Sequence, residues 1–347
     1  MSGLPGVLTA APAKVEISPH FVRTLPILVL FPHNRCNCRC VMCDIWKIRH
    51  VRQITDRDLE PHLASLRGLK VRWVIFSGGE PLMHSDLPAL CRLLRAEGIR
   101  VTLLTAGLLL ERFAGEVAEH TDDVIISLDG PSEIHDRIRG VPGAWRRLER
   151  GVAALRSHRP ISIQARCTVQ RTNASHLRRT VKAARELGLN GISFLAADVH
   201  SEAFNRRGGW ALTRQAEVAL NSQEVEELHR EVESLIREFP AEIRGGFVAE
   251  SPEKLRRIVS HFRACCGQAE AVAPRCNAPW VSAVIEADGT YRPCFFHPPL
   301  GNIQDGPLHE VLNNSQATEF RRHLDVSTNP ICRQCVCSLD LPAERLD

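Results

Sequence analysis

The sequence predicts an α/β fold: a partial (β/α)6 TIM-like barrel followed by a small C-terminal, cysteine-rich extension of β-hairpin and helix. Apolar, strand-like runs alternate with amphipathic helical runs over the first ~200 residues, and strands separated by helices indicate a parallel sheet with right-handed crossovers. From Cys276 onward the pattern changes to short strands and closely spaced cysteines. The sequence therefore predicts a barrel first and a smaller metal-binding unit after it.

Six apolar runs are predicted to form the barrel, whose chemistry is expected at the carboxyl ends of its strands. The predicted strands are Ile27–Phe31, Trp73–Phe76, Val101–Leu104, Val124–Leu128, Ile161–Val169 and Ile192–Ala196. Helical patterns lie between them at Asp86–Ala96, Ala144–Ser157 and Ala174–Leu187. Ser85 and Asn173 are the expected N-caps of the first and last of these helices.

Changes in composition and in the strand–helix pattern along the chain predict four segments. They are an N-terminal segment 1–24, the barrel 25–200, a helical connecting region 201–270 and a cysteine-rich domain 271–347. The connecting region breaks the strand–helix rhythm, and we expect it to select the substrate. Asp288-Gly289 is a hairpin turn signal inside the last part.

Composition narrows the range of partners. The chain has 347 residues and a net charge of +4, which does not indicate a nucleic-acid partner. Its apolar runs are too short to span a membrane, and its start lacks the pattern of a secretory signal. Thirteen cysteines bunched into short motifs favour metal-bound thiolates in a reducing cytoplasm over a disulfide scaffold.

The first cysteine motif lies just after the first predicted strand. Cys36, Cys40 and Cys43 read C-x3-C-x2-C, and three close thiolates can hold three corners of a cuboidal iron–sulfur cluster. The fourth iron is then left open to a substrate or cofactor. The alternative is a structural zinc site with Cys38 as fourth ligand, although four ligands in eight residues would strain a tetrahedron. We expect the Cys38 thiol to face away from the cluster.

With the motifs that follow it, the first ~200 residues resemble the radical S-adenosylmethionine (radical SAM) superfamily. These motifs are Gly78-Gly79-Glu80-Pro81 after the second strand and Ser127-Leu128-Asp129-Gly130 at the end of the fourth. The resemblance implies that Met42 packs on adenine, Gly78–Pro81 bind the methionine amino group, and Ser127 and Asp129 contact the ribose and the carboxylate. Arg166 is a second candidate for that carboxylate, and Leu195 for adenine. Thr105-Ala106-Gly107 stands where the family often has a TNG-like turn.

The C-terminal part resembles the SPASM/Twitch extensions of the same superfamily. Cys276, Gly289 and Cys294 give C-x12-G-x4-C, and Cys332 and Cys335 give C-x2-C. The resemblance implies that these four cysteines ligate one auxiliary [4Fe–4S] cluster. Cys337, Cys265 or Cys266 could replace a ligand or bind a second cluster, and a zinc site is the alternative. His297, just after Cys294, could tune or contact that cluster, but a surface position is expected.

The resemblance implies a cytoplasmic enzyme that reductively cleaves S-adenosylmethionine to a 5′-deoxyadenosyl radical. That radical would take hydrogen from a small-molecule or peptide substrate in a biosynthetic or maturation pathway. The short stretch before the first strand favours a small molecule or a substrate delivered by a partner. A low-potential donor such as flavodoxin or ferredoxin would supply the electron. Asp198 and His200 follow the sixth strand and could accept a proton, or they could be loop-surface residues. The competing hypothesis is a non-catalytic zinc- or cluster-binding scaffold.

Overall fold

A computed structural model describes residues 15–18 and 20–345. Its strands are β1 Val15–Ile17, β2 Ile27–His33, β3 Trp73–Gly78, β4 Arg100–Thr105, β5 Asp123–Ser127, β6 Ser162–Val169, β7 Gly191–Ala196, β8 Ser282–Ile285, β9 Thr290–Arg292, β10 Gly301–Asn302 and β11 Ala343–Arg345. Its helices are α1 Asp56–Leu59, α2 Leu63–Gly68, α3 Leu87–Ala96, α4 Ala114–His120, α5 Ser132–Arg139, α6 Ala144–His158, α7 Leu177–Glu186, α8 Leu212–Val218, α9 Ser222–Glu238, α10 Pro240–Arg244, α11 Pro252–Cys265, α12 Ala278–Val281, α13 Leu308–Val311, α14 Ser315–His323 and α15 Pro330–Arg333. None of these helices is long and apolar enough to cross a lipid bilayer.

The central sheet has nine strands in the order β10-β9-β8-β2-β3-β4-β5-β6-β7. Strands β2 to β7 pair in parallel in chain order, and helices connect them, so the predicted six-unit partial barrel is confirmed. In β6, Ile163, Ala165 and Cys167 are buried in the main hydrophobic core, whereas Arg166 and Thr168 are only partly buried. This period of two places one face of each strand under the helices and leaves the other face toward the barrel interior.

The cysteine-rich extension is less separate than the sequence predicts. Strand β8 pairs in parallel with β2, with Ile27 opposite Ser282 and Leu30 opposite Ile285, and then turns at Gly289 into the antiparallel strand β9. The predicted hairpin is therefore present, and its first strand extends the barrel sheet. Because of this pairing, the C-terminal cysteines lie beside the edge of the barrel that carries the first cysteine motif.

Two predicted helix caps are wrong. Helix α3 is capped by the Asp86 side chain, which accepts from the backbone N–H of Ala89 at 3.0 Å, while Ser85 accepts from Gln53. Helix α7 begins only after His176. Asn173 instead accepts from the backbone N–H of Gln170 at 2.8 Å and closes the turn after β6. Local hydrogen bonds in the loops shift both starts, which capping preferences alone do not reveal.

The buried carboxyl group of Glu250 hydrogen bonds to the backbone of β7, the last strand of the sheet. Glu250 is 7 % exposed and accepts from the backbone N–H of Phe194 at 2.8 Å. Burial raises the pKa of Glu250 to about 7, although Arg166 opposes the rise. Because the folded-state pKa is raised, the protonated acid favours the folded state. This contribution is complete below pH 4.5, the ordinary value, and is lost as the pH rises through about 7.

We therefore expect the folded state to lose about 3 kcal/mol between pH 4.5 and pH 8, relative to a Glu250→Gln variant. Glutamine keeps the acceptor for Phe194 and does not ionise. Urea unfolding of anaerobic protein at several pH values measures the difference. The exposed Glu253→Gln variant on α11 is the control and should track the wild type. Parallel pH profiles for wild type and Glu250→Gln would contradict the prediction.

Candidate functional site

The first cysteine motif forms a loop that begins after β2 and is fastened to the end of α5. The backbone N–H of Arg39 donates to Arg139 O at 2.8 Å, and that of Val41 donates to Ile138 O at 3.1 Å. The loop shares a hydrophobic cluster with Met42 and Ile138. The loop therefore lies at the carboxyl ends of the barrel strands, where chemistry is expected.

The thiols of this loop interact with one another. Cys38 is 1 % exposed and hydrogen bonds to both Cys36 and Cys40, so the expectation that it faces away is wrong. Its hydrogen bond lowers the pKa of Cys40 to about 7, assisted by Arg139 and against the effect of burial. Burial raises the pKa of Cys43 to about 12. The loop turns back on itself, so that thiols two residues apart converge.

The Gly78–Pro81 segment lies against the same loop. Gly78 has φ +91°, and a Cβ on Gly79 would lie 2.2 Å from Arg35 O. Only glycine permits this approach, and it lets the backbone N–H of Glu80 donate to Arg35 O at 2.7 Å. The backbone of the motif is thus held directly beside the cysteine loop.

The Glu80 carboxylate is fully buried and already has three partners. It accepts from the Thr105 hydroxyl at 2.7 Å and from the backbone N–H groups of Ala106 at 2.8 Å and Leu82 at 3.1 Å. Burial raises its pKa, and these bonds oppose the rise. The side chain joins the segments at the ends of β3 and β4, and its contact with a methionine ammonium stays a prediction.

We expect Glu80→Ala to lower the free energy of unfolding by about 3 kcal/mol, because three buried donors lose a charged acceptor. Anaerobic urea denaturation measures the loss. Glu149→Ala, at an exposed position of α6, is the matched control and should change stability little. A Glu80→Ala protein as stable as this control would show that water or a rearranged loop replaces the carboxylate.

The Ser127–Gly130 motif lies at the end of β5. Ser127 is 8 % exposed, and Asp129 is fully buried. Asp129 forms an ion pair with Arg139, with 2.5 Å between Oδ2 and Nη2, and its Oδ1 accepts from the backbone N–H of Thr168. Arg166 is opposite Ser127 in the sheet register. The structure thus brings these predicted cofactor residues to adjacent strands, and their contacts with S-adenosylmethionine stay predictions.

Residues 204–214, here called the strap, hold the cysteine loop from the other side. Asn205 donates to Asp44 O at 2.9 Å, and Arg206 donates to Met42 O at 2.6 Å. Trp210 donates its indole N–H to the Asp44 carboxylate at 2.8 Å. Substrate selection by residues 201–270 stays a prediction, and the bonds of the strap fix the loop that carries Met42 and Cys43.

The strap also reaches the C-terminal cysteine domain. Phe204 stacks on Phe295 with ring centroids 6.4 Å apart and meets Phe296 edge-on at 6.2 Å. The guanidinium of Arg206 lies 5.2 Å from the Phe204 ring and 4.0 Å from the Trp210 ring. These aromatic contacts join the loop of the first cysteine motif to the segment directly after Cys294.

Asp198 and His200 are not surface residues. Asp198 is 7 % exposed, pairs with Arg206 at 2.7 Å and accepts from the Ser201 hydroxyl at 2.5 Å. Its Oδ1 also accepts from the backbone N–H groups of His200 and Ser201. The surface alternative is therefore wrong, because Arg206 draws the carboxylate inward.

A second histidine accompanies His200. Its ring lies edge-on to that of His261, with centroids 6.5 Å apart, and His261 Nε2 lies 3.5 Å from the Cys265 thiol. Burial lowers the pKa of both histidines, that of His261 to about 4. Among the described residues, His200 Nδ1 is buried without a hydrogen-bond partner. Neutral imidazoles therefore gather at the mouth of the barrel.

The C-terminal thiols form a second group with five members. They are Cys276, Cys294, Cys332, Cys335 and Cys337. Burial raises the pKa of Cys294 to about 11, and repulsion from Cys276 and Cys337 adds to the rise. His297 is 2 % exposed, with Nε2 at 3.3 Å from Cys332 Sγ, so its expected surface position is wrong. Cys337 is thus placed with the four predicted ligands.

Both groups of cysteine thiols, the one in the first loop and the one in the C-terminal domain, fit iron–sulfur clusters. Each supplies at least three cysteines, and repulsion among crowded thiolates is relieved when iron binds them. Each group also has a cation beside it: the buried Arg139 contacts Cys40, and the partly buried Arg257 donates to Cys335 O at 2.9 Å. The auxiliary site would be held by Cys276, Cys294, Cys332 and Cys335, with Cys337 as a fifth thiol within reach.

Two residues of the site, Arg206 and His261, have a role that no motif predicts. Arg206 reaches Met42 across 164 residues. Arg139 belongs to the Arg139-Gly140 element of the resemblance, with a surface ion pair as its alternative, and it is buried. One local signal was present: His261 and Cys265 are four residues apart in a helical pattern, and such pairs share one helix face. Cys91 and Cys167 are buried in the main hydrophobic core.

Comparison with known proteins gives two family matches. A model of the radical SAM superfamily matches residues 30–184, and a model of the SPASM iron-sulfur cluster-binding domain matches residues 276–336. Fe-coproporphyrin III synthase of Methanosarcina barkeri is 26 % identical over 308 residues, which cover 82 % of this chain and 73 % of the relative. PqqA peptide cyclase of Ruegeria pomeroyi is 26 % identical over 92 % of this chain and 82 % of its own.

Solved structures agree on the fold. The structure of anSMEcpe with bound AdoMet superposes with a TM-score of 0.66 at 20 % identity and covers 91 % of this chain and 93 % of its own. The radical SAM domain binds a [4Fe–4S] cluster and S-adenosylmethionine, and the SPASM domain binds an auxiliary iron–sulfur cluster. With its partial barrel and its two groups of thiols, the chain belongs to the radical SAM superfamily of enzymes and carries a C-terminal SPASM domain.

Proposed function

We propose that this enzyme abstracts hydrogen from a small-molecule or peptide substrate and completes a two-electron oxidation of it in a biosynthetic or maturation pathway. One observation carries the proposal: Asp198 interacts, through Arg206 or directly, with residues of both groups of cysteines. It is joined to Met42 O through Arg206, and its carboxylate adds to the rise that burial causes in the pKa of Cys337. A substrate at the mouth of the barrel would therefore lie between both clusters.

When bound, the clusters and S-adenosylmethionine would supply the radical that removes one hydrogen atom and the acceptor for the second electron. The chain's own residues must take the remaining proton. The Asp198 carboxylate is occupied by Arg206 and Ser201, so we assign it the positioning of the loop. His200 is the better proton acceptor, because burial keeps its imidazole neutral and its Nδ1 has no partner among the described residues.

Two kinds of substrate fit this proposal. Relatives are named for Fe-coproporphyrin III, a small molecule, and for the PqqA peptide. A low-potential flavodoxin or ferredoxin would supply the first electron in either case. The strap and α11 border the mouth of the barrel, and we propose that they select between such substrates.

Deuterium transfer tests the proposal. Anaerobically reconstituted enzyme is given dithionite, S-adenosylmethionine and deuterated candidate substrates, and 5′-deoxyadenosine is analysed by mass spectrometry. The true substrate should place deuterium in 5′-deoxyadenosine. His200→Ala should keep this transfer but slow formation of the oxidised product at least about tenfold. Enzyme that holds its clusters yet forms no 5′-deoxyadenosine would contradict the proposal and favour the scaffold hypothesis.

A further inference from the structure

A cation is buried beside the first thiol group. Arg139 is the last residue of α5 and is 7 % exposed. The next residue, Gly140, has φ +63°, and a Cβ there would lie 2.5 Å from Arg39 O. This close approach lets α5 end against the cysteine loop, with the backbone N–H of Arg39 donating to Arg139 O. The position of the guanidinium relative to the loop is therefore fixed by the backbone.

The guanidinium joins a thiol to a carboxylate. Arg139 Nη1 donates to Cys40 Sγ at 3.6 Å, and Nη2 lies 2.5 Å from Asp129 Oδ2. Asp129 is fully buried. Burial alone lowers the pKa of Arg139, but Asp129 and the thiols outweigh that effect, so the side chain stays charged. A fixed positive charge therefore touches a predicted cluster ligand away from solvent.

The carboxylate is immobilised in turn. Asp129 Oδ1 accepts from the backbone N–H of Thr168 at 3.1 Å, and its backbone carbonyl accepts from Asn173 Nδ2 at 2.9 Å. Its backbone N–H donates to His135 Nδ1 at 3.3 Å, and burial lowers the pKa of His135 to about 3, so that ring is neutral. Asp129 can hold Arg139 in one place, whereas its oxygens have little freedom to meet a ribose or a methionine carboxylate.

We propose that Asp129 and Arg139 form a charge relay that sets the reduction potential of the cluster held by Cys36, Cys40 and Cys43. The proposal rests on the function proposed above, and it makes Asp129 a positioning residue rather than a ligand of S-adenosylmethionine. One-electron reduction adds one negative charge to the cluster. A buried cation against a ligand sulfur stabilises that charge more than it would in water, and the paired carboxylate limits the effect.

The relay predicts opposite shifts from its two members. Arg139→Gln removes the cation, and we expect the ratio of reduced to oxidised cluster at a fixed potential to fall about tenfold, or about 59 mV for one electron. Asp129→Asn removes the opposing anion and should shift the ratio the other way. Arg139→Lys should give a smaller change than Arg139→Gln. Arg137→Gln, at an exposed position of the same helix, is the matched control and should leave the ratio unchanged.

Redox titration of anaerobically reconstituted enzyme, followed by electron paramagnetic resonance, measures these ratios. Each variant is first checked for iron and sulfide content, and S-adenosylmethionine binding is measured separately. A midpoint that is unchanged in Arg139→Gln would overturn the relay, as would shifts of the same sign in both variants. If Arg139→Gln fails to hold the cluster, Arg139→Lys and Asp129→Asn decide by the same criterion.

Two further outcomes distinguish a failure of the relay from a failure of the proposed function. If Asp129→Asn weakens S-adenosylmethionine binding without moving the midpoint, Asp129 contacts the cofactor and the relay is wrong. If wild-type enzyme assembles no reducible cluster at the first thiol group, the proposed function fails and the relay fails with it. If the cluster is intact and can be titrated but its midpoint potential is unchanged in the variants, the relay is wrong and the proposed function is unaffected.

Discussion

Replacement of Cys36, Cys40 and Cys43 together by alanine should abolish the formation of 5′-deoxyadenosine from S-adenosylmethionine and dithionite. Three protein thiolates hold the cluster that delivers the electron, and the other thiol of this loop, Cys38, lies outside the C-x3-C-x2-C spacing. Iron and sulfide should each fall from about eight to about four per chain, because one of two [4Fe–4S] clusters is lost. Mass spectrometry and iron analysis of anaerobic protein measure both effects.

The control for this prediction is Cys91→Ala, since Cys91 is buried in α3 and contributes to the core. It should keep its iron and its activity. The presence of Cys38 between Cys36 and Cys40 makes a further comparison informative. Cys38→Ala should keep the cluster, because the motif spacing assigns it no corner. If the triple variant retained 5′-deoxyadenosine formation, the assignment of the site would be wrong.

Replacement of Cys276 and Cys294 by alanine should give the opposite combination of losses. Iron should again fall by about half, but 5′-deoxyadenosine should still form, because the first thiol group is intact. Formation of the oxidised substrate should fall at least about a hundredfold, since its second electron has no nearby acceptor. Product analysis beside 5′-deoxyadenosine analysis shows whether the two reactions separate.

Cys266→Ala is a suitable control for the auxiliary pair, because its thiol donates to Leu220 O at 3.1 Å and takes no part in the group of five. Zinc without iron in the wild-type C-terminal domain would contradict the cluster assignment. Cys337→Ala tests the fifth thiol. Loss of iron in that variant, with iron retained in Cys335→Ala, would make Cys337 the ligand in place of Cys335.

Much of the fold could be predicted because its signals are local. The run Ile161–Val169 alternates apolar and polar side chains, and strand β6 covers Ser162–Val169. The pairing of β8 with β2 could not be read in this way, because it joins segments some 250 residues apart and no local pattern specifies the register. Helix starts failed for a similar reason, since loop hydrogen bonds such as those of Asn173 decide them.

Within the site, too, features with a local sequence signal could be predicted, whereas contacts set by tertiary packing could not. The glycines at 78 and 79 could be predicted from motif and chemistry, because Gly78 has φ +91° and a Cβ on Gly79 would lie 2.2 Å from Arg35 O. The inward position of Asp198 depends on Arg206, eight residues later in an irregular segment, and the sequence pattern gives no hint of the pair. The contact of Arg139 with Cys40 likewise spans 99 residues. Contacts between residues so far apart in the sequence are set by tertiary packing, which the pattern of a single sequence does not reveal.

Phe204 contacts the segments that carry both metal sites, so it couples the loading of one site to that of the other. It and Asn205 adopt left-handed backbone angles, φ +59° and +65°, which an aromatic residue rarely takes unless its surroundings enforce them. That turn lets one ring touch Phe295 while its own backbone carbonyl accepts from Asp44 N–H. Insertion of iron at either end would order this shared residue and lower the entropic cost of loading the other end. Under limiting iron, the wild-type enzyme should therefore contain fewer half-loaded molecules than independent loading would give, whereas variants that lack the ligands of one site still load the other.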